Sequence, residues 1–381
     1  MANLDQQAAY SNQAYQPTNT IVNQKTLDQK CPSCGATLAF DPVTGGLACN
    51  FCGTVVAIQT RAAAPNVGYT LNDLSSTAGR HLQMTDIKMI QCGTCGGQFT
   101  ADRSSLSGMC PYCGSNSITE TSNSVGILEP TGVVPFAMSK ENAQAVFMQW
   151  IKQRRFAPAD LAKNTVITDL TGVYVPYWVF NCNTHTHYKG KFGRKYGSGD
   201  DERTIYHNSE RDCDLTIKDL TIIASSRLSN DGFWKSVSSF DFNYTRQYDK
   251  SLLAGYWAET YTVDGTAAWQ TAMGNIYDLI KRRIKEIEFC DVIDKLEMNP
   301  QATNIYAKYI LAPVWMTSFE YNGKAYRVLV NGQTGKVSGR WPSSFKRFFK
   351  TLGIVLACIV GTYVTLGILI YILQVFFNFT L

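Results

Sequence analysis

The sequence predicts an α+β fold, and three observations along its 381 residues carry this prediction. Eight of its twelve cysteines form two matching patterns near the N-terminus. The middle of the chain alternates segments of helical and strand periodicity, and its last segment is one long apolar run. We therefore expect two small metal-binding modules, a mixed α+β domain and one transmembrane helix, which a chain with 45% hydrophobic residues can support.

The first segment, residues 1–28, is predicted to be a disordered tail. It holds five Gln and four Asn with almost no aliphatic periodicity, so it cannot bury enough apolar surface to offset chain entropy. It also lacks a basic stretch followed by an apolar stretch, which argues against a secretory signal and for a cytosolic start of the chain. Because cytosolic thiols stay reduced, the cysteines that follow favour metal binding over disulfides.

Two zinc ribbons are predicted at residues 29–57 and 90–117, with a linker at 58–89. Each has the pattern C-x2-C-x14-C-x2-C, and the second repeats the first after 61 positions. Two such turns bring four thiolates around one zinc ion. A glycine follows each cysteine pair, where positive φ lets backbone amides turn toward the sulfurs. The predicted ligands of the two ions are Cys31, Cys34, Cys49 and Cys52, then Cys92, Cys95, Cys110 and Cys113.

Four protein sulfurs leave no open coordination position, so we expect two structural zinc ions. Iron in a rubredoxin-like site and redox-active thiols are the alternatives for the same cysteines. The charges of each ribbon cancel, Lys30 against Asp41 and Arg103 against Asp102. A surface that binds phosphates needs clustered Lys and Arg, so the sequence argues against nucleic-acid binding by the ribbons. Eight thiolates with two Zn²⁺ would also lower the formal net charge of +5 by four.

Residues 118–345 are predicted to be a duplicated α+β cytoplasmic domain. Ser139 caps a helix that runs to about Gln153, and a second helix is strongly amphipathic. The apolar positions of the second helix are Trp269, Met273, Ile276, Ile280, Ile284 and Ile287. Strands are predicted at Val173–Phe180, Leu252–Val263, Tyr309–Tyr321 and Lys324–Val330. Asn322-Gly323 joins the last two as a two-residue hairpin, since both residues tolerate positive φ.

The duplication is predicted from a second repeat. Val175-Pro-Tyr-Trp-Val-Phe180 returns as Ala312-Pro-Val-Trp-Met-Thr317 after 137 positions, and in both copies an amphipathic helix precedes the strand. Two such copies packed together would share one pseudo-symmetric core.

No set of residues in the sequence predicts a catalytic site, so we expect the protein not to be an enzyme. His185 and His187 would share one face of a strand and could join a metal, but the sequence places no further ligand beside them, which favours a solvent-facing strand. The segment Gly332–Lys336 lacks the length and hydroxyl of a phosphate-binding loop and is typical of a turn between strands. The remaining cysteines are expected to be ordinary buried or membrane residues: Cys182, Cys213, Cys290 and Cys358.

The final segment, residues 346–381, predicts a basic juxtamembrane stretch and a transmembrane anchor. Leu352–Phe377 is nearly continuous apolar sequence, and as a helix of roughly 39 Å it exceeds a hydrocarbon core of about 30 Å. Cations precede this run and nothing charged follows it, so the positive-inside rule predicts a single-pass cell-membrane protein with its bulk in the cytoplasm. The lipid bilayer is a predicted partner of these cations, which are Arg340, Lys346, Arg347 and Lys350. A stripe of small residues suits association with another helix: Gly353, Ala357, Gly361 and Thr365.

From Lys30 almost to its end, the chain resembles a family of bacterial membrane-anchored double-zinc-ribbon proteins. The resemblance rests on the paired CxxCG turns, the terminal span and the segments GVYVPYWVF, LLAGYW and LAPVWMTSFEYNGKAYRVLVNGQTGK. Members are often labelled transcription-factor-IIB-type zinc ribbon or primosomal-helicase-like proteins, although this chain has no helicase motif. The resemblance implies that the eight cysteines are zinc ligands. It also implies phage-shock-protein-A-like and SPFH proteins as partners in membrane stress, since some relatives are encoded beside them.

The leading hypothesis is a non-enzymatic, membrane-anchored scaffold that binds or recruits protein partners at the cytoplasmic face of the membrane, in an envelope-stress response. The alternative is a membrane-tethered nucleic-acid-binding protein of replication or transcription. An enzyme built on the α+β domain is a third hypothesis, which would require a pocket with convergent acid and base residues.

Overall fold

The structure, a computed structural model, describes residues 30–64, 67–75, 87–102, 110–121, 127–158, 160–161 and 166–378. The tail predicted at residues 1–28 lies outside these residues, as do parts of the linker predicted at 58–89. The described chain has a mixed α+β structure, as the sequence predicts.

The described α-helices are α1 Leu71–Ser75, α2 Lys140–Lys152, α3 Ser226–Ser229, α4 Trp234–Val237, α5 Gly265–Ile287 and α6 Phe345–Asn378. The strands are β1 Ala39–Asp41, β2 Gly46–Ala48, β3 Val55–Val56, β4 Ile87–Cys92, β5 Gln98–Asp102, β6 Ile118–Thr121, β7 Gly132–Val133, β8 Val166–Tyr196, β9 Arg203–Ile223, β10 Arg246–Gln247, β11 Trp257–Glu259, β12 Val292–Tyr321, β13 Lys324–Asn331 and β14 Val337–Gly339. Short 3-10 helices lie at Gly199–Asp201, Phe242–Tyr244 and Lys250–Leu253.

The strands form a small sheet and a large one. β1, β2 and β3 form a three-stranded antiparallel sheet within the first cysteine module. The large sheet has eleven strands, with the order β10-β7-β12-β8-β11-β5-β4-β6, and β9 pairs with β8 while β13 and β14 continue from β12. The strands of the second cysteine module, β4 to β6, therefore belong to the large sheet, which continues across the boundary predicted between residues 117 and 118.

Two very long strands form the middle of the large sheet. β8 has 31 residues and β12 has 30, and they pair antiparallel over most of their length. The strands predicted at Val173–Phe180 and Tyr309–Tyr321 are the most apolar parts of these longer strands. Beyond Phe180, β8 alternates buried and exposed residues, because one face of the sheet packs on α5 and the other meets solvent.

The prediction of a strand at Leu252–Val263 is wrong over most of this range, because only Trp257–Glu259 is an extended, paired strand. The Asp249 carboxylate accepts a hydrogen bond from the Ser251 amide and begins a 3-10 helix instead. Gly255, with φ of 82°, then turns the chain before β11 begins.

Both amphipathic helices lie where the sequence predicts them. The Ser139 hydroxyl accepts a hydrogen bond from the Asn142 amide at the start of α2, and the Asp264 carboxylate accepts one from the Ala267 amide at the start of α5. Each bond satisfies an amide that the first helical turn leaves unpaired. The stripe that α5 buries consists of Ala268, Ala272, Ile276, Ile280 and Ile284.

Two predicted turns are confirmed. Asn322 and Gly323 have φ of 51° and 70° and join β12 to β13. The second turn joins β13 to β14 around the buried side chain of Asn331. Its carbonyl oxygen accepts hydrogen bonds from the amides of Gln333 and Thr334, so the segment after Asn331 is a side-chain-stabilised turn.

The two sequence segments that repeat lie opposite each other in the sheet. Val175 of β8 pairs with Ala312 of β12, its equivalent 137 positions later. The short strands before the two helices pair reciprocally: β7, which precedes α2, pairs with β12, and β11, which precedes α5, pairs with β8. Both pairings are parallel and fall on equivalent residues, Ile310 and Leu311 in β12 and Val173 and Tyr174 in β8.

The two tryptophans of the repeat also bond reciprocally. Trp178 of β8 donates its indole N–H to the Val263 carbonyl at 2.9 Å, one residue before the cap of α5. Trp315 of β12 donates to the Met138 carbonyl at 3.2 Å, one residue before the cap of α2. Each long strand therefore holds the start of the helix that precedes the other long strand.

The two faces of the large sheet bury different cysteine modules. On one face, Tyr174 and Trp178 share a core with α2 and with the first module, including Phe40. On the other face, Val175 and its neighbours share a core with α3, α4 and the second module, including Phe99. The core of the first module thus lies on one face of the sheet, and the core of the second lies on the other.

The helix α6 packs differently from the others. Its segment Leu352–Leu373 has 22 residues with a mean hydropathy of 2.4, and none of its 18-residue apolar window is buried against the described chain. It is the one described helix that is long and apolar enough to cross a membrane.

Candidate metal centres

The structure brings the first four cysteines together. The sulfur of Cys31 lies 3.4 Å from that of Cys52, and the sulfur of Cys34 lies 3.5 Å from that of Cys49. All four sulfurs lie within 4.8 Å of one another. These separations exceed the roughly 2.05 Å of a disulfide and are near the about 3.8 Å between sulfurs on a tetrahedral zinc ion.

The second four cysteines form the same arrangement. The sulfurs of Cys92 and Cys113 lie 3.6 Å apart, as do those of Cys95 and Cys110. These four also lie within 4.8 Å of one another. In both centres these contacts join the first cysteine to the fourth and the second cysteine to the third.

One backbone turn recurs at all four cysteine pairs. After the first pair, Gly35 has φ of 74° and donates its amide hydrogen to the Cys31 carbonyl at 2.8 Å. Gly53, Gly96 and Gly114 have φ between 71° and 74° and make the same bond to the first cysteine of their own pair. The turn holds two sulfurs on one side of the chain, which is the local geometry of a metal-binding knuckle.

At the first cysteine of each centre, backbone hydrogen bonds favour ionisation of the thiol. Burial opposes ionisation of Cys31, but the amides of Ser33 and Cys34 outweigh it and lower its pKa to about 6. Burial also opposes ionisation of Cys92, and the amides of its turn, with Cys95 first, lower its pKa to about 7. Because the thiolate is the form that binds a metal, these cysteines are the readiest ligands at neutral pH.

The donor sets fit two structural metal ions. Soft thiolate ligands in a four-fold set suit zinc, with iron as the alternative. Four sulfurs complete a tetrahedral shell, so such an ion would carry no water or substrate. That the ion is zinc stays a prediction.

The second centre is hydrogen-bonded to the large sheet through Tyr112, which lies between two of the ligands. Its hydroxyl donates to one oxygen of Glu259 at 2.5 Å, and the other oxygen accepts from the Ser225 hydroxyl at 2.7 Å. All three side chains are buried, so each polar group depends on the others for its hydrogen bonds.

Two guanidinium groups surround the same tyrosine ring. Those of Arg227 and Arg327 each lie 5.3 Å from the centroid of Tyr112. Arg227 also donates to the Cys95 carbonyl, and Arg327 forms an ion pair of 3.3 Å with Asp231. The second centre is therefore held by charged groups of the α+β domain.

Burial raises the pKa of Glu259 to about 7, although hydrogen bonds from Tyr112 and Ser225 oppose the shift. A carboxyl group beside a metal centre is thus poised between its neutral and charged forms near neutral pH.

The first centre leaves the equivalent aromatic residue exposed. Phe51 stands 61 positions before Tyr112, and 85% of it is exposed. The first module instead contacts the domain through Phe40, whose amide donates to the Ala254 carbonyl at 3.0 Å and whose carbonyl accepts from the Tyr256 hydroxyl at 3.2 Å. The second knuckles of the two modules thus have the same backbone shape, but the aromatic residue is exposed in the first module and buried in the second.

A cleft of about 540 Å³ lies where both modules meet the large sheet. Its polar and aromatic lining includes Asp41, Asn50, Tyr112, Lys140, Glu141, Tyr256, Trp315 and Arg327. Its volume is in the range of small-ligand and peptide sites.

His185 and His187 lie on one exposed face of β8, as the sequence predicts, and the structure gives them acidic neighbours on β9. His185 Nδ1 lies 2.7 Å from Asp214, and His187 Nδ1 lies 2.8 Å from Asp212. Hydrogen bonds to Asp212 and Glu210 raise the pKa of His187. Within the described chain, the two cysteine sets are the groups that bring three or more metal-ligand atoms together, and the histidines are not among them.

The network around Glu259 was not predicted from the sequence. Tyr112 and Glu259 are 147 positions apart, and the residues around Glu259 read as part of an ordinary apolar strand. A buried acidic residue in such a strand is the one signal that could have marked it, because an isolated buried carboxylate needs partners.

The fold and the centres together define an α+β protein with two tetracysteine sites and one candidate membrane span. The chain is similar to the uncharacterized protein YdjG of Bacillus subtilis (strain 168), with 28% identity over 331 residues, which cover 84% of this chain and 91% of the relative. No protein-family model matches the chain. No solved structure matches it at a significant level.

Proposed function

We propose that this protein is a membrane-anchored scaffold of the double-zinc-ribbon kind that binds protein partners at the cytoplasmic face of a bacterial membrane. The eight cysteines hold two structural zinc ions in this proposal, and the chain is not an enzyme. Its partners are phage-shock-protein-A-like and SPFH proteins in a membrane-stress response.

The membrane part of the proposal is supported by α6. The helix is exposed and apolar through Leu352–Leu373, and burial in a bilayer would remove this surface from water. Three cations lie in its first turns, at Lys346, Arg347 and Lys350, which favours the cytoplasmic side for the domain that precedes it.

The scaffold part is carried by the exposure of Phe51. In the second module the equivalent Tyr112 is covered by two guanidinium groups and a carboxylate of the same chain. In the first module no described part of the chain covers Phe51, although the knuckle that carries it is the same. An exposed aromatic on a rigid turn is a typical anchor for a protein partner.

Internal duplication is part of the proposal and has its own support. The reciprocal pairing of β7 with β12 and of β11 with β8, and the exchanged bonds of Trp178 and Trp315, are what a pseudo-two-fold axis through Val175 and Ala312 would produce. A duplicated domain would offer a partner two related edges.

Site-specific crosslinking tests the scaffold. A photoreactive phenylalanine analogue replaces Phe51 in the full chain in the native host, and the same analogue replaces Tyr306, which is 45% exposed on β12. We expect a crosslinked phage-shock-protein-A-like or SPFH protein at position 51 and none at 306. Equal labelling at both positions, or none at either, contradicts the proposal.

The nucleic-acid alternative gives a different result. Filter binding with the full chain in detergent would show salt-sensitive retention of DNA or RNA that is lost in Cys49→Ser/Cys52→Ser. We expect no such retention, since neither module carries clustered cations.

A further inference from the structure

The end of α2 packs against the segment that leads into α6. The rings of Trp150 and Trp341 meet edge to face, with centroids 5.5 Å apart. The Arg154 guanidinium lies 4.7 Å from the centroid of Trp150 and 5.3 Å from that of Trp341. These three side chains join two segments that are about 190 positions apart in the sequence.

A backbone bond completes this junction. The Ser344 amide donates to the Phe156 carbonyl at 2.6 Å, and α6 begins at the next residue. The basic turn after α2 is thereby held at the base of the apolar helix, where the span enters a bilayer.

Two cations of this turn are exposed and form no ion pair within the part of the chain that the structure describes. Lys152 and Arg155 are exposed and make no ion pair with any carboxylate that the structure describes. The nearest acidic residue along the chain is Asp160, which accepts a hydrogen bond from Tyr321. The first two turns of α6 add Lys346, Arg347 and Lys350 to the same end of the molecule.

We propose that the basic turn of α2, with Lys152 and Arg155, and the basic start of α6 form one composite surface that binds the phosphates of anionic phospholipids. The proposal rests on the membrane anchor proposed above. The cations come from two distant parts of the chain, and the packing of Trp150, Arg154 and Trp341 holds them together. Trp341 is 37% exposed, and at this position its ring suits the headgroup layer. Exposed cations at that depth attract an anionic leaflet.

The alternative role of Lys152 and Arg155 is to offset the dipole at the end of α2. Replacing the two cations distinguishes these roles. If they bind lipid, the replacement alters which lipids surround the protein; if they only support the helix, it alters only the free energy of unfolding.

The test uses the full chain reconstituted in phosphatidylcholine vesicles that contain spin-labelled phosphatidylglycerol or phosphatidylcholine. Electron paramagnetic resonance then gives the association constant of the first lipid relative to the second. We expect the wild type to prefer phosphatidylglycerol, and Lys152→Gln/Arg155→Gln to lower that preference by at least about fivefold, since one cation near the surface already has an effect of about this size. The preference should also fall as salt is raised.

A matched control is Lys281→Gln/Arg282→Gln. It removes the same two charges from exposed positions on α5, where Ile280 and Ile284 pack in a separate core with Tyr188. This control should keep the preference of the wild type, as should Lys152→Arg/Arg155→Lys, which retains both charges.

The outcomes separate the two proposals. If alkaline carbonate strips the chain from the vesicles, the anchor is contradicted and the lipid surface with it. If the chain stays in the vesicles but shows no preference, or if the two double Gln variants behave alike, the lipid surface alone is contradicted.

Discussion

At the scale of single residues, the glycines after the cysteine pairs set the shape of both centres. A Cβ atom added to Gly35 or Gly53 would meet no atom within 4 Å, so space is not the reason for glycine there. The reason is φ of 74° at both residues, a left-handed conformation that is costly for any residue with a Cβ. A substitution at these positions therefore changes the backbone energy of the knuckle and nothing else nearby.

We expect Gly35→Ala to lower the free energy of unfolding of the metal-loaded chain by about 1–2 kcal/mol, because alanine must adopt the left-handed conformation. It should also speed the transfer of the first metal to a chelator. Gly232→Ala is the control, since Gly232 has equally open space and no positive φ. Chemical denaturation and chelator competition measure both effects, and equal behaviour of the two variants would show that the knuckle carries no strain.

Glu259 is the other residue whose chemistry matters at this scale. Burial raises its pKa to about 7, whereas a glutamate in an unfolded chain ionises near about 4.3. Between these two values the folded chain holds a proton that the unfolded chain has lost. The contribution of Glu259 to stability is therefore present below about pH 4.3 and falls as the pH rises to about 7.

Glu259→Gln should remove this dependence on pH. Glutamine stays neutral, so the variant should gain stability relative to the wild type as the pH is raised from about 5 to 7.5. The measurement is the difference in free energy of unfolding between the two metal-loaded chains at each pH, in which the titration of the cysteines cancels. A difference that stays constant with pH would place the ionisation of Glu259 outside this window.

At the scale of elements, the sequence predicts those whose signal is local. The spacing of cysteines predicts the members of both centres, Ser139 and the Ile276–Ile284 stripe predict the two main helices, and Asn322-Gly323 predicts a hairpin. The caps, stripe and hairpin depend on neighbours a few positions apart, where periodicity and capping act, and each cysteine set lies within 22 residues of sequence.

The elements that the sequence does not predict depend on distant partners. β9 is mostly exposed and carries Glu210, Arg211, Asp212 and Asp214 in succession around Cys213, so it has no alternating apolar pattern. It is a strand because its backbone pairs with β8. The pairing of β5 with β11 joins Thr100 to Ala258, and no periodicity can indicate a pairing over 158 positions.

The reciprocal hydrogen bonds of the Trp178 and Trp315 indoles lead to a prediction at the scale of elements. Trp178→Phe and Trp315→Phe each leave a carbonyl before a helix cap without its indole donor, at Val263 and Met138. We expect each variant to lose about 2 kcal/mol of stability, and the two losses to be similar because the two bonds occupy equivalent places. Trp257→Phe is a control for lost ring volume, since Trp257 is also buried and its indole forms no hydrogen bond with a described residue.

Chemical denaturation of the three variants decides the point. A loss at Trp178 alone, or a loss at Trp257 as large as the other two, would contradict the idea that these bonds hold the two helix starts.

At the scale of the whole molecule, the two centres differ in how they are joined to the large sheet. The second centre contributes β5, which pairs with β11 through Thr100 and Phe99, and β11 in turn pairs with β8. The first centre has its own small sheet and reaches the domain through contacts at Phe40. A metal at the second centre would therefore be coupled to the middle of the fold, and a metal at the first would be coupled mainly to its own module.

Removal of one metal at a time should reveal this difference by hydrogen exchange. In Cys110→Ser/Cys113→Ser the amides of β11 and of Val173 and Tyr174 in β8 should exchange at least tenfold faster, roughly 1.4 kcal/mol of lost protection, because β5 no longer holds the edge of β11. In Cys49→Ser/Cys52→Ser the faster exchange should be confined to residues 38–56, with β11 protected as in the wild type. Both variants are compared with the metal-loaded chain at one pH. Equal loss of protection on β11 in the two variants would mean that the cores on the two faces of the sheet, rather than the β5–β11 pairing, transmit the loss of a metal.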